Sequence, residues 1–287
     1  MPNPKIRLIR ADNPSPLTGP GTNTYVLGEG ELTLIDPGPD LDSHLRAILH
    51  QTKGEKIRHI LVTHAHLDHS DLTRKLVAAT GAEVLAFGLA DSGRSTVMQG
   101  LAGDGLTSSE GADLAFIPDR CMTDNTLLDL GDLQIEALHL PGHMGCHMGF
   151  ALGDILFSGD HVMAWSTTLV SPPDGDMADY MTSLDRLSRR TWSRMLPGHG
   201  AEVGQPAARL GELTHHRLAR QASILNALRA EGPADRTTLT RLVYTDTPAH
   251  LLPAAARNVL SHLIALMGEG LATPSPGPLA SATFHAI

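Results

Sequence analysis

The sequence predicts an α/β fold of the α+β type with a small helical unit at its C-terminal end. Three observations lead there. Short apolar runs punctuated by Gly and Pro alternate with helix-period segments as far as Leu196-Pro197-Gly198-His199-Gly200. Histidines and aspartates recur where several of those runs end. From Pro206 onward the pattern turns helical.

Thr24-Tyr25-Val26-Leu27 and Leu32-Thr33-Leu34-Ile35, the latter ending in Asp36-Pro37-Gly38, read as strands joined by tight turns. Leu41 to Gln51 has apolar residues at 41, 45, 48 and 49, the spacing of a helix with one buried face. Ile57 to Thr63 resumes as a strand and runs into His64-Ala65-His66-Leu67-Asp68-His69, after which Leu72, Leu76, Val77 and Ala79 mark a helix ending at Gly81. Glu83 to Phe87 is a further strand. The Gly-rich stretch 88–124 is weakly periodic and longer than an ordinary connection, so a substrate-facing insertion is expected there.

Leu127 to Leu130, Leu133 to Leu140, His147 to Leu152 and Ile155 to Ser158 read as strands, with hairpin turns at Gly131 and Gly153-Asp154. Met177 to Arg190 is a helix. Pro206 to Arg229, Thr238 to Tyr244 and Pro253 to Met267 are three more, followed by a tail from Gly270 to Ile287 with three prolines. The change of character near 202–206 divides a domain at 1–204 from a helix-turn-helix or winged-helix unit at 205–287, stabilised by docking onto the larger one.

A chain of 287 residues, 41% of them hydrophobic, can bury a full-sized core. With 22 Lys plus Arg against 31 Asp plus Glu, its net charge of −9 argues against a surface that coats nucleic acid. The acidity sits before Glu202, and the tail is near neutral. Bound divalent cations would offset part of that surplus, and solubility alone explains it as well. The only cysteines, Cys121 and Cys146, form no CxxC pair, which fits a reducing compartment. The opening MPNPKIRLIRADNPSP has no apolar stretch long enough for a signal peptide, and no later stretch reaches about 18 uninterrupted apolar residues. A cytoplasmic protein without a membrane span is expected.

Sixteen histidines are the unusual count. His64 and His66 lie two apart, so on extended backbone they share a side, and Asp68 and His69 follow where the chain turns toward a helix. Imidazole and carboxylate together suit Zn²⁺ and tolerate Mn²⁺ or Fe²⁺ in a binuclear site. Downstream, His143 in Leu140-Pro141-Gly142-His143, Asp160 in Phe157-Ser158-Gly159-Asp160 and His199 in Leu196-Pro197-Gly198-His199-Gly200 each follow an apolar strand and a Gly. Strand ends fix direction, while Gly lets the backbone turn close to a metal. Seven ligands suffice for two divalent ions.

With these seven residues in place the sequence resembles the metallo-β-lactamase superfamily, whose HxHxDH motif and later His, Asp and His match His64, His66, Asp68, His69, His143, Asp160 and His199. The resemblance implies an αββα sandwich in which His64, His66 and His143 bind one metal, Asp68, His69 and His199 the second, and Asp160 bridges them. Asn13-Pro14-Ser15-Pro16, Gly21-Thr22-Asn23-Thr24-Tyr25 and Ile35-Asp36-Pro37-Gly38 are similar to the N-terminal motifs of the lactamase-beta-like subgroup. Arg217-Leu218-Ala219-Arg220-Gln221-Ala222-Ser223-Ile224-Leu225 and Pro253-Ala254-Ala255-Ala256-Arg257-Asn258-Val259-Leu260-Ser261-His262-Leu263 resemble its winged-helix domain. Met144 departs from the family's usual Thr or Ser and removes a hydroxyl near the site. A surface or ordinary structural role accounts for His147 and His161 as well as a role near the metals does, and His44, His50 and His59 are read as structural. Cys146 reads as a small buried thiol.

The expected chemistry is hydrolysis by a metal-bridging hydroxide that Asp68 helps orient. An ester, thioester, lactone or related small molecule is the expected substrate. Asp160, where family lactamases generally carry Cys or Ser, leaves at most weak β-lactamase activity. Two alternatives stand beside it. The subgroup resemblance and Arg209, Arg217, Arg220, Arg229, Arg236, Arg241 and Arg257 in the tail allow cleavage of single-stranded RNA. A non-catalytic module that binds nucleic acid or protein is the other. The winged helix could also serve a homodimer.

Overall fold

The computed structural model describes residues 5–108 and 111–287; residues 1–4, at the head of the stretch read for an export signal, and 109–110, inside the 88–124 insertion, lie outside it. The chain opens with β1 (Ile6–Arg10), β2 (Asn23–Leu27) and β3 (Glu31–Ile35), then α1 (Asp42–Gln51), β4 (Lys56–Leu61), α2 (Leu67–Ser70), α3 (Thr73–Thr80), β5 (Glu83–Ala86), α4 (Thr96–Gly103) and β6 (Arg120–Cys121). These strands form one sheet in sequence order, antiparallel through β1 to β3 and parallel from β3 to β6. A second sheet is built from β7 (Thr126–Leu130), β8 (Leu133–His139), β9 (Met148–Leu152), β10 (Ile155–Gly159) and, after α5 (Met177–Ser188), β11 (Arg194–Pro197), in the order β11-β10-β9-β8-β7.

Alternation along the strands sorts the core into layers. On β2, Tyr25 and Leu27 point between the sheets toward Ile135, Phe150 and Phe157, while Val26 points outward to Ile48 of α1 and Leu76 of α3. On the second sheet Leu138 and Leu156 face outward, onto Tyr180, Leu184 and Leu187 of α5. Both sheets are therefore covered on both faces, which is why their strands read as nearly unbroken apolar runs. Burying each such Leu, Ile or Phe contributes about 1.5–3 kcal/mol. The αββα expectation holds.

The last segment has α6 (Pro206–Glu231), β12 (Ala234–Asp235), α7 (Arg236–Val243), α8 (Leu252–Gly268), β13 (Ala272–Pro274) and β14 (Thr283–Ala286), with the three short strands in one sheet ordered β12-β14-β13. Helices capped by a small antiparallel sheet make a winged helix. Leu210 and Leu213 at the start of α6 pack with α5 and the second sheet, whereas Ile224, Leu225 and Leu228 belong to the winged-helix core. One continuous helix thus enters both cores. The stretch Ala249–Gly268 is long and apolar enough to cross a membrane, yet nine residues of α8 are buried in the protein, so its apolar content is used in packing.

The 88–124 segment, expected as a weakly periodic, substrate-facing insertion, contains regular structure. It contains α4, started by Ser95, whose Oγ accepts from the Met98 backbone N–H, and α4 buries Met98 and Leu101 in the winged-helix core. Its role is largely to dock the C-terminal unit. Its far end lies beside the histidine run, where Ala112 pairs with His66 and Leu67 N–H donates to Gly111 O at 2.8 Å.

Candidate metal centre

The carboxyl ends of the strands bring all seven sequence-predicted residues to one edge of the sandwich. His64 and His66 follow β4, Asp68 and His69 lie in α2, His143 follows β8, Asp160 follows β10 and His199 follows β11. Their ligand atoms group as His64, His66 and His143; as His64, His69 and Asp160; and as Asp68, His69 and His199, each set lying within 4.8 Å of one another. The glycines before Asp160 and His199 permit this approach. A Cβ on Gly159 would stand 2.8 Å from Thr63 Oγ1, and one on Gly198 would stand 2.6 Å from His69 Cε1 and 2.7 Å from Asp160 Oδ1. Any larger residue at 198 would occupy the site itself.

Hydrogen bonds behind the rings fix which nitrogen each histidine presents. Nδ1–H of His143 donates to Leu169 O at 2.7 Å, that of His199 to Gly21 O at 3.4 Å, and that of His69 to Asp36 Oδ2 at 2.9 Å. Thr63 Oγ1 donates to Asp36 Oδ2 and so accepts from His64 Nδ1, 3.0 Å away. These four residues turn Nε2 inward. His66 is reversed, its Nδ1 lying 2.9 Å from His64 Nε2 and 3.1 Å from His143 Nε2.

Nitrogens so close compete for protons, since only one partner of each pair can donate. Asp160 stands between the two groups, with Oδ1 3.4 Å from His69 Nε2 and 3.3 Å from His199 Nε2, and Oδ2 3.8 Å from His143 Nε2. Asp68 Oδ2 lies 3.2 Å from His199 Nε2. Buried lone pairs converging in this way are a donor set of the kind that metal cations satisfy. These residues fit a metal centre.

The electrostatics divide the same way. Burial, with the neighbouring imidazoles, pushes His64 well below the ordinary value, and burial takes His66 down to about 3, leaving neutral rings. Burial also pulls at His199, but Asp160 and Asp68 outweigh it and raise it to about 9. Asp68 feels burial in the opposite sense, yet His69 and His199 bring it down to about 2, a firmly ionised carboxylate.

Several positioning residues escape a reading of the sequence. Asp36 adopts φ of 52°, uncommon for a residue with a side chain, and thereby accepts from Thr63 N–H at 2.7 Å while holding His69. Its one visible signal is its place after β3 and before Pro37-Gly38. His147 is fully buried, unlike a surface histidine; its ring stacks on that of His64 at 5.0 Å, and its Nε2 accepts from the Asp160 backbone N–H at 3.2 Å. His161 is buried as well, between His147 and Tyr180. Asn23 Nδ2 donates to Pro197 O and Gly200 O, bracketing His199. Met144 fills the apolar core, and burial lifts the Cys146 thiol to about 11, as befits an inert side chain.

The tail arginines differ most from expectation. Arg217 is 2% exposed and contacts Thr168 O and Asn258 Oδ1, not solvent. Arg209 donates to Met163 O and Ser166 O, Arg220 to Val243 O, and Arg257 to Thr107 O. These four are engaged inside the protein.

Residues 17–199 match the metallo-beta-lactamase superfamily, and residues 224–276 match the beta-lactamase associated winged helix domain. A beta-lactamase-like protein 2 homolog of Drosophila melanogaster is 32% identical over 277 residues, covering 92% of this chain and 88% of that one. An atrochrysone carboxyl ACP thioesterase of Aspergillus chevalieri is 28% identical, covering 79% and 66% respectively. Among solved structures, a metallo-beta-lactamase family protein of Thermus thermophilus superposes with a TM-score of 0.77 at 22% identity, over 98% of both chains. The protein TTHA1623, crystallised in a di-iron-bound form, is 29% identical with a TM-score of 0.52, covering 73% of this chain and 96% of that one.

Proposed function

Because the chain belongs to the metallo-β-lactamase superfamily, a family of hydrolases, we propose that it is a two-metal hydrolase acting on a small acyl substrate, with a thioester as the preferred class. The observation that carries this reading is the position of Asp160 between the His64, His66, His143 set and the Asp68, His69, His199 set. His64, His66 and His143 would hold one ion, Asp68, His69 and His199 the other, and Asp160 both. The donor set suits zinc, with iron or manganese as substitutes; a related protein holds two irons.

When bound, such a pair supplies Lewis acidity and a water acidified toward neutrality. The chain's own contribution is orientation. Asp68, ionised and partly open to solvent, would accept a hydrogen bond from the attacking water and so orient it. Asp36 and Leu169 O keep His69 and His143 turned so that Nε2 faces the centre. Leu67, 38% exposed between His66 and Asp68 in the chain, and Trp165, 44% exposed with its ring against Gly200 next to His199, offer apolar surface near the ligands, which suits an acyl group. A thioesterase among the relatives supports the same class.

Cleavage of single-stranded RNA is less favoured, because Arg209, Arg217, Arg220 and Arg257 are bonded internally and α8 is largely buried. Reconstituted protein should hydrolyse members of an acyl thioester panel with little salt dependence and leave labelled single-stranded RNA intact. RNA cleavage that weakens steeply with salt, without thioester turnover, would reverse the assignment.

A further inference from the structure

A buried arginine with no carboxylate opposite it needs an explanation, because taking a guanidinium out of water is costly unless its donors are used. Arg217 is such a group: no ion pair of its own is found among the described residues, and its ring-facing contact is Tyr180, 5.1 Å away. Besides Asn258 Oδ1, what it holds is backbone. Its Nη2 donates to the carbonyl of Thr168, and one residue further along the Leu169 carbonyl accepts from His143 Nδ1 at 2.7 Å. Thr168 Oγ1 lies 3.1 Å from the same Nδ1. Two turns earlier on α6, Arg209 binds the same strap through Met163 O at 2.8 Å and Ser166 O at 2.7 Å.

We propose that Arg217, with Arg209, is a positioning residue for His143, so that the helix joining the two units is a working part of the metal centre. The strap 163–169 has no strand or helix of its own to hold it. Its carbonyls point where His143 requires them because two guanidinium forks, rigid and always charged, grip it from α6. The Thr168–Leu169 backbone then sets the ring's rotation and its tautomer, presenting Nε2 to the centre. The C-terminal unit thereby acts on the catalytic site through its scaffold, with no nucleic acid involved.

This inference rests on the two-metal reading of the site and not on the choice of substrate. The test is stepwise cobalt titration of full-length wild type, Arg217→Met, Arg217→Lys and Arg209→Met, read by visible absorption and by competition with a chelator, with circular dichroism of the metal-free proteins as the folding check. In Arg217→Met, affinity for the His143-containing set should fall roughly tenfold with an altered cobalt spectrum, while the Asp68, His69, His199 set changes less than about threefold. Arg209→Met, whose side chain is nearer the surface, should show the same selective loss at smaller size, and it decides the matter if Arg217→Met does not fold. Arg217→Lys should recover part of the affinity. Folded variants with both affinities at the wild-type level, or with both lowered equally, would overturn the proposal. Wild type taking up fewer than two cobalt ions would instead overturn the two-metal reading beneath it.

Discussion

Asp36 Oδ2 lies 2.9 Å from His69 Nδ1, and the same carboxylate receives the backbone N–H and the hydroxyl of Thr63. One side chain therefore aims His69 and, through Thr63, supports His64, the two residues that begin and end the His64 to His69 run. Asp36→Asn would keep the shape but weaken its hold on His69 and Thr63. Activity should fall roughly 10- to 100-fold with metal affinity reduced in parallel. Steady-state kinetics at saturating metal, beside chelator competition, would check this, and unchanged values would show that Asp36 is only a turn residue.

Gly198→Ala should damage function more than stability. The added methyl would lie 2.6 Å from His69 Cε1 and 2.7 Å from Asp160 Oδ1, so those side chains must shift. We expect kcat/KM to drop at least about 100-fold, the scale of a 1 Å misplacement, with melting temperature altered by only a few degrees. A variant with full turnover would mean the site tolerates displacement of both residues.

These two predictions mark where sequence reading stopped. The seven candidate ligands are legible because four sit in one run of six residues directly after a strand, and the other three follow a strand and a Gly, a pattern visible along the chain. Asp36 and His147 are not, since what distinguishes them is a positive φ in one case and a ring stack across the fold in the other. The helix α4 hides in Thr96-Val97-Met98-Gln99-Gly100-Leu101-Ala102-Gly103, where three small residues blur the period and tertiary docking of Met98 and Leu101 decides. Arg217 reads as a solvent-facing charge because arginine is rarely buried, and nothing local announces the carbonyl it holds.

Acid should destabilise the protein through His44. Burial lowers its pKa from 6.5 to about 4, and its Nε2 sits 2.8 Å from Thr24 Oγ1. The unfolded chain takes up the proton first, so this contribution is full above pH 6.5 and is lost as pH falls through the interval down to 4. Between pH 7 and 5 the loss amounts to about 2 kcal/mol. Denaturant unfolding of wild type and His44→Gln at both pH values would test it: the difference between the two proteins should shrink at pH 5. An unchanged difference would contradict the assignment.

Metal removal should lower thermal stability as well as activity. Five imidazoles and two carboxylates crowd a buried edge, and bound ions would relieve that crowding in the folded state alone. Dialysis against chelator should abolish turnover and lower the melting temperature by several degrees. Restoring zinc, manganese or iron should recover both. Activity that survives exhaustive chelation would argue for chemistry by side chains alone.

The most direct measurement is metal stoichiometry of purified full-length protein beside Asp160→Ala, made by elemental analysis after reconstitution and removal of free metal. Asp160 reaches both sets, 3.3 Å from His199 Nε2 and 3.8 Å from His143 Nε2, so its loss should affect both ions. We predict two equivalents in the wild type, and in Asp160→Ala fewer than two with thioester turnover reduced at least about 100-fold. One equivalent or less in an active wild type, or two equivalents and full activity in Asp160→Ala, would contradict the two-metal account.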